Sequence, residues 1–300
     1  AEAGSSLFIN GLKSDATART NIFIQETAGS DATADLLFYD AAGTVVPAAT
    51  SNASLPPFQL VRLIDAVPPG AVSAKISNRA GSSGRFSAYA TPIDQTSGDL
   101  WSIADWKRLN ASLDDETQVI PVVGKLYGVN GTYFRSDVSI TATGSTPAAA
   151  TVKLFYDRGS RSAETEISLP AGETRVLEDV IGTLSPTLTG SVVGYVVLTP
   201  SAGNLAVGSR TYATQEGLPG TYGSAVPALP LSRAIRLGQG KVLAGIDATS
   251  DVTTNARTAA TFRTNLFLVE ASGAPAKVRL TVVYADRSQI AFGSRLISKT

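Results

Sequence analysis

The chain has 300 residues, 25 Lys and Arg against 25 Asp and Glu, and no Cys, His or Met. Without His or Cys there is no Ser-His-Asp or Cys-His nucleophile system and no imidazole or thiolate zinc site, while balanced charge without a basic run gives no footprint for nucleic acid. No apolar run approaches the ~18–20 residues of a membrane helix, so no membrane insertion is expected. What remains for a reaction is carboxylate, Lys or Tyr chemistry and oxygen-ligated cations.

The chain opens on Ala1-Glu2-Ala3-Gly4 with no initiator Met, which suits a secreted chain whose signal peptide has been removed and makes an extracellular or cell-surface location the expectation. A small apolar strand, Leu7-Phe8-Ile9-Asn10-Gly11, precedes the phrase ARTNIFI at residues 18–24. Ile22 and Ile24 take alternate positions there, the pattern of a half-buried strand. A second apolar run closes on Tyr39. Leu55-Pro56 then leads to Asp65, and Ala88-Tyr89-Ala90-Thr91 ends the first unit.

Asp99-Leu100-Trp101 through Leu109 begins with an N-cap candidate and predicts about two helical turns. The second unit repeats the first. FRSDVSI (134–140) follows a Gly-terminated strand, Tyr156 closes the next run, Leu169-Pro170 leads to Asp179, and Thr211-Tyr212-Ala213-Thr214 answers residues 88–91. A third phrase, FRTNLFL (262–268), is followed by Tyr284. Aligned on Arg19, Arg135 and Arg263, the copies stand 116 and 128 residues apart (135 − 19 and 263 − 135). The Arg-to-Tyr spacing is 20, 21 and 21. A period this long is a domain.

The predicted fold is all-β: tandem immunoglobulin-like antiparallel β-sandwich modules, two complete and one partial. The expected divisions are residues 1–100, a linker with a short helix at 101–118, a second module at 119–232 and a partial third at 233–300. In the partial copy Leu266, Leu268, Leu280 and Val282 have no facing sheet. A neighbouring module, the rest of a longer chain, or a strand from another copy would have to cover them, an end segment such as residues 1–12 being a candidate donor.

The run Gly220-Thr221-Tyr222-Gly223 through Pro230, with Gly240, Gly245 and the phrase at Arg263, resembles the tandem β-sandwich repeats of large secreted bacterial proteins, where similar phrases join one repeat to the next. The resemblance implies a spacer, adhesive stalk or enzyme appendage, and no catalytic residues.

Each candidate site has two readings. Arg19, Arg135 and Arg263 form either a ligand row or a framework pairing with acids such as Asp65 and Asp179; the framework reading is preferred. Trp101 and Trp106 either stack on sugars or seal the joint between modules, and the joint is preferred. Glu164 with Glu166, Glu178 with Asp179, and Asp114-Asp115-Glu116 are adjacent or alternating acids, not the facing pair a glycosidase needs. Asp247 and Asp251 lack a calcium-loop pattern. The expectation is a non-enzymatic extracellular structural protein without cofactor: stalk, adhesin or self-assembling filament subunit, with further copies or modules and surface glycans as partners. The alternatives are a carbohydrate-binding accessory region and a carboxylate-type glycoside hydrolase.

Overall fold

Burial with a period of two runs through most strands of the chain. Along Ala18–Glu26 every second residue is buried and those between are half-exposed, as a strand with one face on a core requires. The computed structural model describes residues 1–104, 117–128, 130–244, 265–283 and 289–297. They fall into two units, Ala1–Leu231 and Ser232–Lys299.

Nine strands build the first module: β1 (Ser6–Asn10), β2 (Ala18–Glu26), β3 (Ala32–Tyr39), β4 (Val45–Val46), β5 (Asn52–Leu55), β6 (Leu60–Leu63), β7 (Ser73–Asn78), β8 (Phe86–Asp94) and β9 (Ile103–Ala104). One sheet runs β1-β7-β3-β4 with β5 also on β3; the other runs β6-β2-β8-β9. Their inner faces close on Ile9, Ile22, Ile24, Leu36, Phe38 and Ile76.

The second module has β10 (Gln118–Tyr127), β11 (Thr132–Ala142), β12 (Ala148–Tyr156), β13 (Arg161–Leu169), β14 (Thr174–Leu177), α1 (Val180–Leu184), β15 (Val192–Ala202), β16 (Leu205–Gln215), β17 (Leu218–Ala225) and β18 (Leu229–Pro230). Its order, β13-β12-β15-β10 and β14-β11-β16-β17, follows the first module, with β13 in the place of β4 and β5 and with β18 added on β10. The difference lies in β10. Its first part pairs with β15 and its end, Leu126 and Tyr127, pairs with β11, so one strand joins the two sheets.

The architecture is therefore the predicted tandem sandwich. In the first module β2 with β6 and β3 with β7 form the central antiparallel pairs, β1 joins the β3–β7 sheet and β8 joins the β2–β6 sheet.

Three expectations change in the first unit. The helix expected from Asp99 does not form over its described part. Leu100 bridges to Ile93, and Ile103–Ala104 adds a strand to β8. Trp101 and Ile103 enter the first core at a period of two, so that module runs to residue 104 rather than 100. Residues 105–109 lie outside the described residues. The joining phrase at 220–230 is not a linker either: it contributes most of β17 and all of β18, which pairs with β10. Residues 1–12 are no spare donor, because β1 pairs along its length with β7 and Ile9 and Leu12 are buried.

In the second unit β19 (Ala276–Val283) pairs with β20 (Gln289–Ile297). This is the β12–β13 hairpin again: 276 stands against 148 and 297 against 169, a shift of 128 in each case, and Ala276 faces Ile297 as Ala148 faces Leu169. Leu280 and Val282 are half-buried on one face of β19. Leu266 and Leu268, expected on a strand face, lie in a segment without regular structure and are 45% and 36% exposed. A strand is stable only beside neighbours, and among the described residues nothing pairs with this segment.

Candidate functional site

The repeated Arg phrase builds a corner at the edge of each complete module. Asp65 and Asp179, at equivalent places, both adopt a left-handed backbone, with φ of 50° and 41°. Asp is one of the few side chains that tolerates this region. In each case the backbone N–H of the Asp donates to the side chain two residues after the Arg: Asn21 Oδ1 at 3.1 Å in the first module and Asp137 Oδ1 at 2.9 Å in the second. The corner is held by an Asx side chain that recurs as Asn21, Asp137 and Asn265, a signal present in all three phrases.

The Arg pairing holds only in part. Arg19 lies 3.8 Å from Asp65, a solvent-exposed contact. Asp179 instead caps α1 through Gly182 N–H and sits 3.3 Å from Lys125 Nζ, so the expected Arg135–Asp179 pair does not form. Arg135 lies over the rings of Tyr133 and Tyr212, at 5.7 and 5.3 Å. Tyr39 and Tyr156 occupy the same place, the last residue of the third strand, facing Ser73 and Gly194 across the sheet. Arg263, Tyr284 and Trp106, with Asp114, Asp115, Glu116, Asp247 and Asp251, lie outside the described residues.

A second shared device went unread in the sequence. Glu26 is buried, and burial alone would raise its carboxyl. Backbone N–H groups of Phe58, Ala28, Arg85 and Gly29 donate to it and hold it at about 2. Glu270, seven residues after Arg263 as Glu26 is seven after Arg19, receives Ser272 and Gly273 N–H in the same way. Glu-x-x-Gly recurs at 26–29 and 270–273, and Gly29 and Gly273 both have positive φ.

The densest polar constellation is the seam between the first two modules. Asp94, at the end of β8, accepts Thr96 and Ser97 N–H with Oδ1 and both the N–H and hydroxyl of Thr221, at 3.0 and 2.7 Å, with Oδ2. Burial pushes this carboxyl up, but the donors outweigh it and set it at about 2. Ser97 Oγ donates to Thr221 O at 2.7 Å, and Asp99 accepts Gly223 N–H at 2.8 Å. At the other side Asn10, buried at the end of β1, donates to Ser139 O and Ala206 O.

Trp101 is 5% exposed, and the Arg210 guanidinium from β16 lies 3.5 Å from its ring centroid. Arg210 also stands 3.6 Å from Asp99 and 4.9 Å from the Tyr212 ring. Its burial lowers its pKa, opposed by Asp99. The order Trp101, Arg210, Tyr212, Arg135, Tyr133 thus alternates rings and cations outward from the seam and ends on a second ring, Tyr127, which is 68% exposed. Burial, then the Asp137 charge, pushes Tyr212 up to about 12. Gly43 and Gly172 meet backbone to backbone across the same seam; a Cβ on Gly43 would stand 2.6 Å from Gly172 C.

Trp101 therefore sits at the joint, and Arg210 is the seam residue that sequence reasoning missed. Its partners across the seam, Trp101 and Asp99, are more than a hundred positions away in the chain. Glu164 and Glu166 lie on one strand, Glu164 bonded to Lys153 at 2.6 Å, and the described carboxylates of the seam are engaged by backbone and hydroxyl donors.

Comparison with protein-family models, with curated proteins and with solved structures finds no match. The class that fold and seam define is an all-β protein of tandem sandwiches with a polar, aromatic-capped joint.

Proposed function

We propose that this chain is a non-enzymatic structural spacer, an extracellular stalk or assembly subunit whose first two modules are held at one fixed angle. The observation that carries the reading is the Asp94–Thr221 contact with its companions Asn10, Asp99 and Arg210 over Trp101. A desolvated carboxylate accepting hydrogen bonds from the opposite module is directional and costly to leave unpaired. The resemblance of the repeated phrases to secreted bacterial repeats supports the same reading.

The chain has no Cys, so Cys introduced at the exposed positions Ser51 and Ser162 can carry spin labels, one per module. A single narrow inter-label distance, broadened by Asp94→Lys, is the expected result. A broad distribution in the parent protein would reject the fixed joint.

One observation favours a second reading. Tyr127 and Tyr133, with ring centroids 4.8 Å apart and Arg135 beside them, offer a stacking surface for a sugar ring. The carbohydrate alternative thereby moves from the tryptophans, of which Trp101 is buried, to Tyr127. Glycan binding abolished by Tyr127→Ala would establish it over the spacer reading.

A further inference from the structure

We infer that Tyr127, Tyr133 and Arg135 form a site for an acidic sugar, a pyranose ring carrying a carboxylate, with the ring against the tyrosines and the carboxylate on the Arg135 guanidinium. The inference rests on the carbohydrate reading and deepens it by naming the class of sugar.

The internal repeats separate this corner from the framework. Arg19 has partners in its own module: it lies 3.8 Å from Asp65, and its Nη1 donates to Asn21 Oδ1 at 3.3 Å. Arg135 has neither. Asp179, the counterpart of Asp65, meets Lys125 and accepts the Gly182 N–H. Asp137, which stands where Asn21 does, accepts the Asp179 N–H and the Tyr212 hydroxyl. Among the described residues Arg135 has no ion pair, and its Nε is enclosed without a hydrogen-bond partner. A half-buried guanidinium held only by the faces of two tyrosines retains its capacity for a carboxylate, whose geometry its planar fork matches.

The tyrosines are also particular to this module. Two residues before the Arg, the first and third phrases have Thr17 and Thr261, whereas the second has Tyr133. Here the end of β10 crosses to β11, which β1 does not do in the first module, and the crossing sets Tyr127 directly opposite Tyr133. The two rings are tilted by 36°, so they form two walls at an angle. Tyr127 is exposed and Tyr133 half-exposed. Aromatic faces stack on the C–H faces of a sugar, and the unpaired cation beside them favours a sugar with a negative charge. Lys125 is matched by Asp179. The opposing charge is Glu178, exposed and near enough to act on both Asp137 and Tyr212.

The test is calorimetric titration of the full chain with galacturonate and glucuronate trimers, the methyl esters of both, and poly-L-glutamate. At least one acid trimer should bind on the order of tenfold tighter than its ester, and added salt should narrow that gap. Arg135→Gln should bring the acid down to the level of the ester, Arg135→Lys should keep part of the difference, and Glu178→Gln should widen it. Tyr127→Ala should abolish binding of acid and ester alike, while Tyr222→Ala, at another exposed ring, should change neither. Thermal unfolding of each variant confirms that it folds, and the Lys variant and the ester comparison carry the test should Arg135→Gln fail to do so. Equal affinity for acid and ester would overturn the inference and leave the carbohydrate reading standing. Poly-L-glutamate binding as tightly as the acid trimers would reduce the site to general attraction of anions and overturn it too. Absence of binding to every sugar would overturn the inference and the carbohydrate reading together.

Discussion

The Asp94 carboxylate of the first module receives both the backbone N–H and the hydroxyl of Thr221 in the second. No other side chain of the described seam takes two donors from a single residue of the opposite module through one oxygen. The contact couples two neighbouring sandwiches because a carboxylate buried to this degree is costly to leave without its donors.

Removing either partner tests that coupling. Asp94→Ala is expected to destabilise the chain by about 2–3 kcal/mol, the range for hydrogen bonds to a charged group with loss of its desolvated partners. Thr221→Val keeps the backbone donor and should cost about 1 kcal/mol. In a double-mutant cycle followed by urea unfolding, the two costs should fall short of additivity; full additivity would mean that the groups do not interact.

Acid should loosen the fold through two carboxylates. Glu26 and Asp94 have ordinary values of 4.5 and 3.8 and folded values of about 2, so the unfolded chain binds protons first as pH falls. Their contribution is present in full above the ordinary values and is lost as pH drops toward 2. Asp137, raised by burial, works in the opposite sense above its ordinary value. Unfolding measured at a series of pH values should show falling stability on acidification, and Glu26→Gln should be less stable at neutral pH with a shallower decline. An unchanged slope in that variant would remove Glu26 from the account.

The two left-handed aspartates should respond oppositely to glycine. Gly relieves the strain of positive φ. Asp65, with an exposed ion pair, loses little by the change, so Asp65→Gly should be neutral or stabilising by a few tenths of a kcal/mol. Asp179 caps α1 and meets Lys125, so Asp179→Gly should cost about 1 kcal/mol despite the relief. Thermal unfolding of both variants reads the difference directly.

Much of the fold was legible because β2 and β11 write their buried faces at a period of two and because the corner residues recur at fixed spacing. The helix expected at Asp99 shows where local reading ends. Asp99 looks like an N-cap, yet its carboxylate is taken by Gly223 N–H, 124 positions along the chain, and Trp101 is drawn into a core between two sheets. Tertiary contacts outweigh a propensity of a few tenths of a kcal/mol per residue. The role of Asp65 and Asp179 was half legible: spacing marked them as framework, but a backbone in the left-handed region leaves no trace in an Asp. Arg210, Thr221 and Asn10 could not be singled out, since each acquires its meaning only from residues that folding brings across the seam.

The way β10 serves both sheets of its module has a mechanical consequence. Tension entering at Gln118 passes at once into β15 and β18 through Val119, and through Leu126 and Tyr127 into β11. The two layers of that module cannot slide past each other without breaking backbone hydrogen bonds on both sides of one continuous strand. In the first module β1 and β2 lie in separate sheets, and its layers grip each other through side chains and connecting loops. The two modules thus hold their layers together in unlike ways, one sewn by its backbone and the other held by its filling.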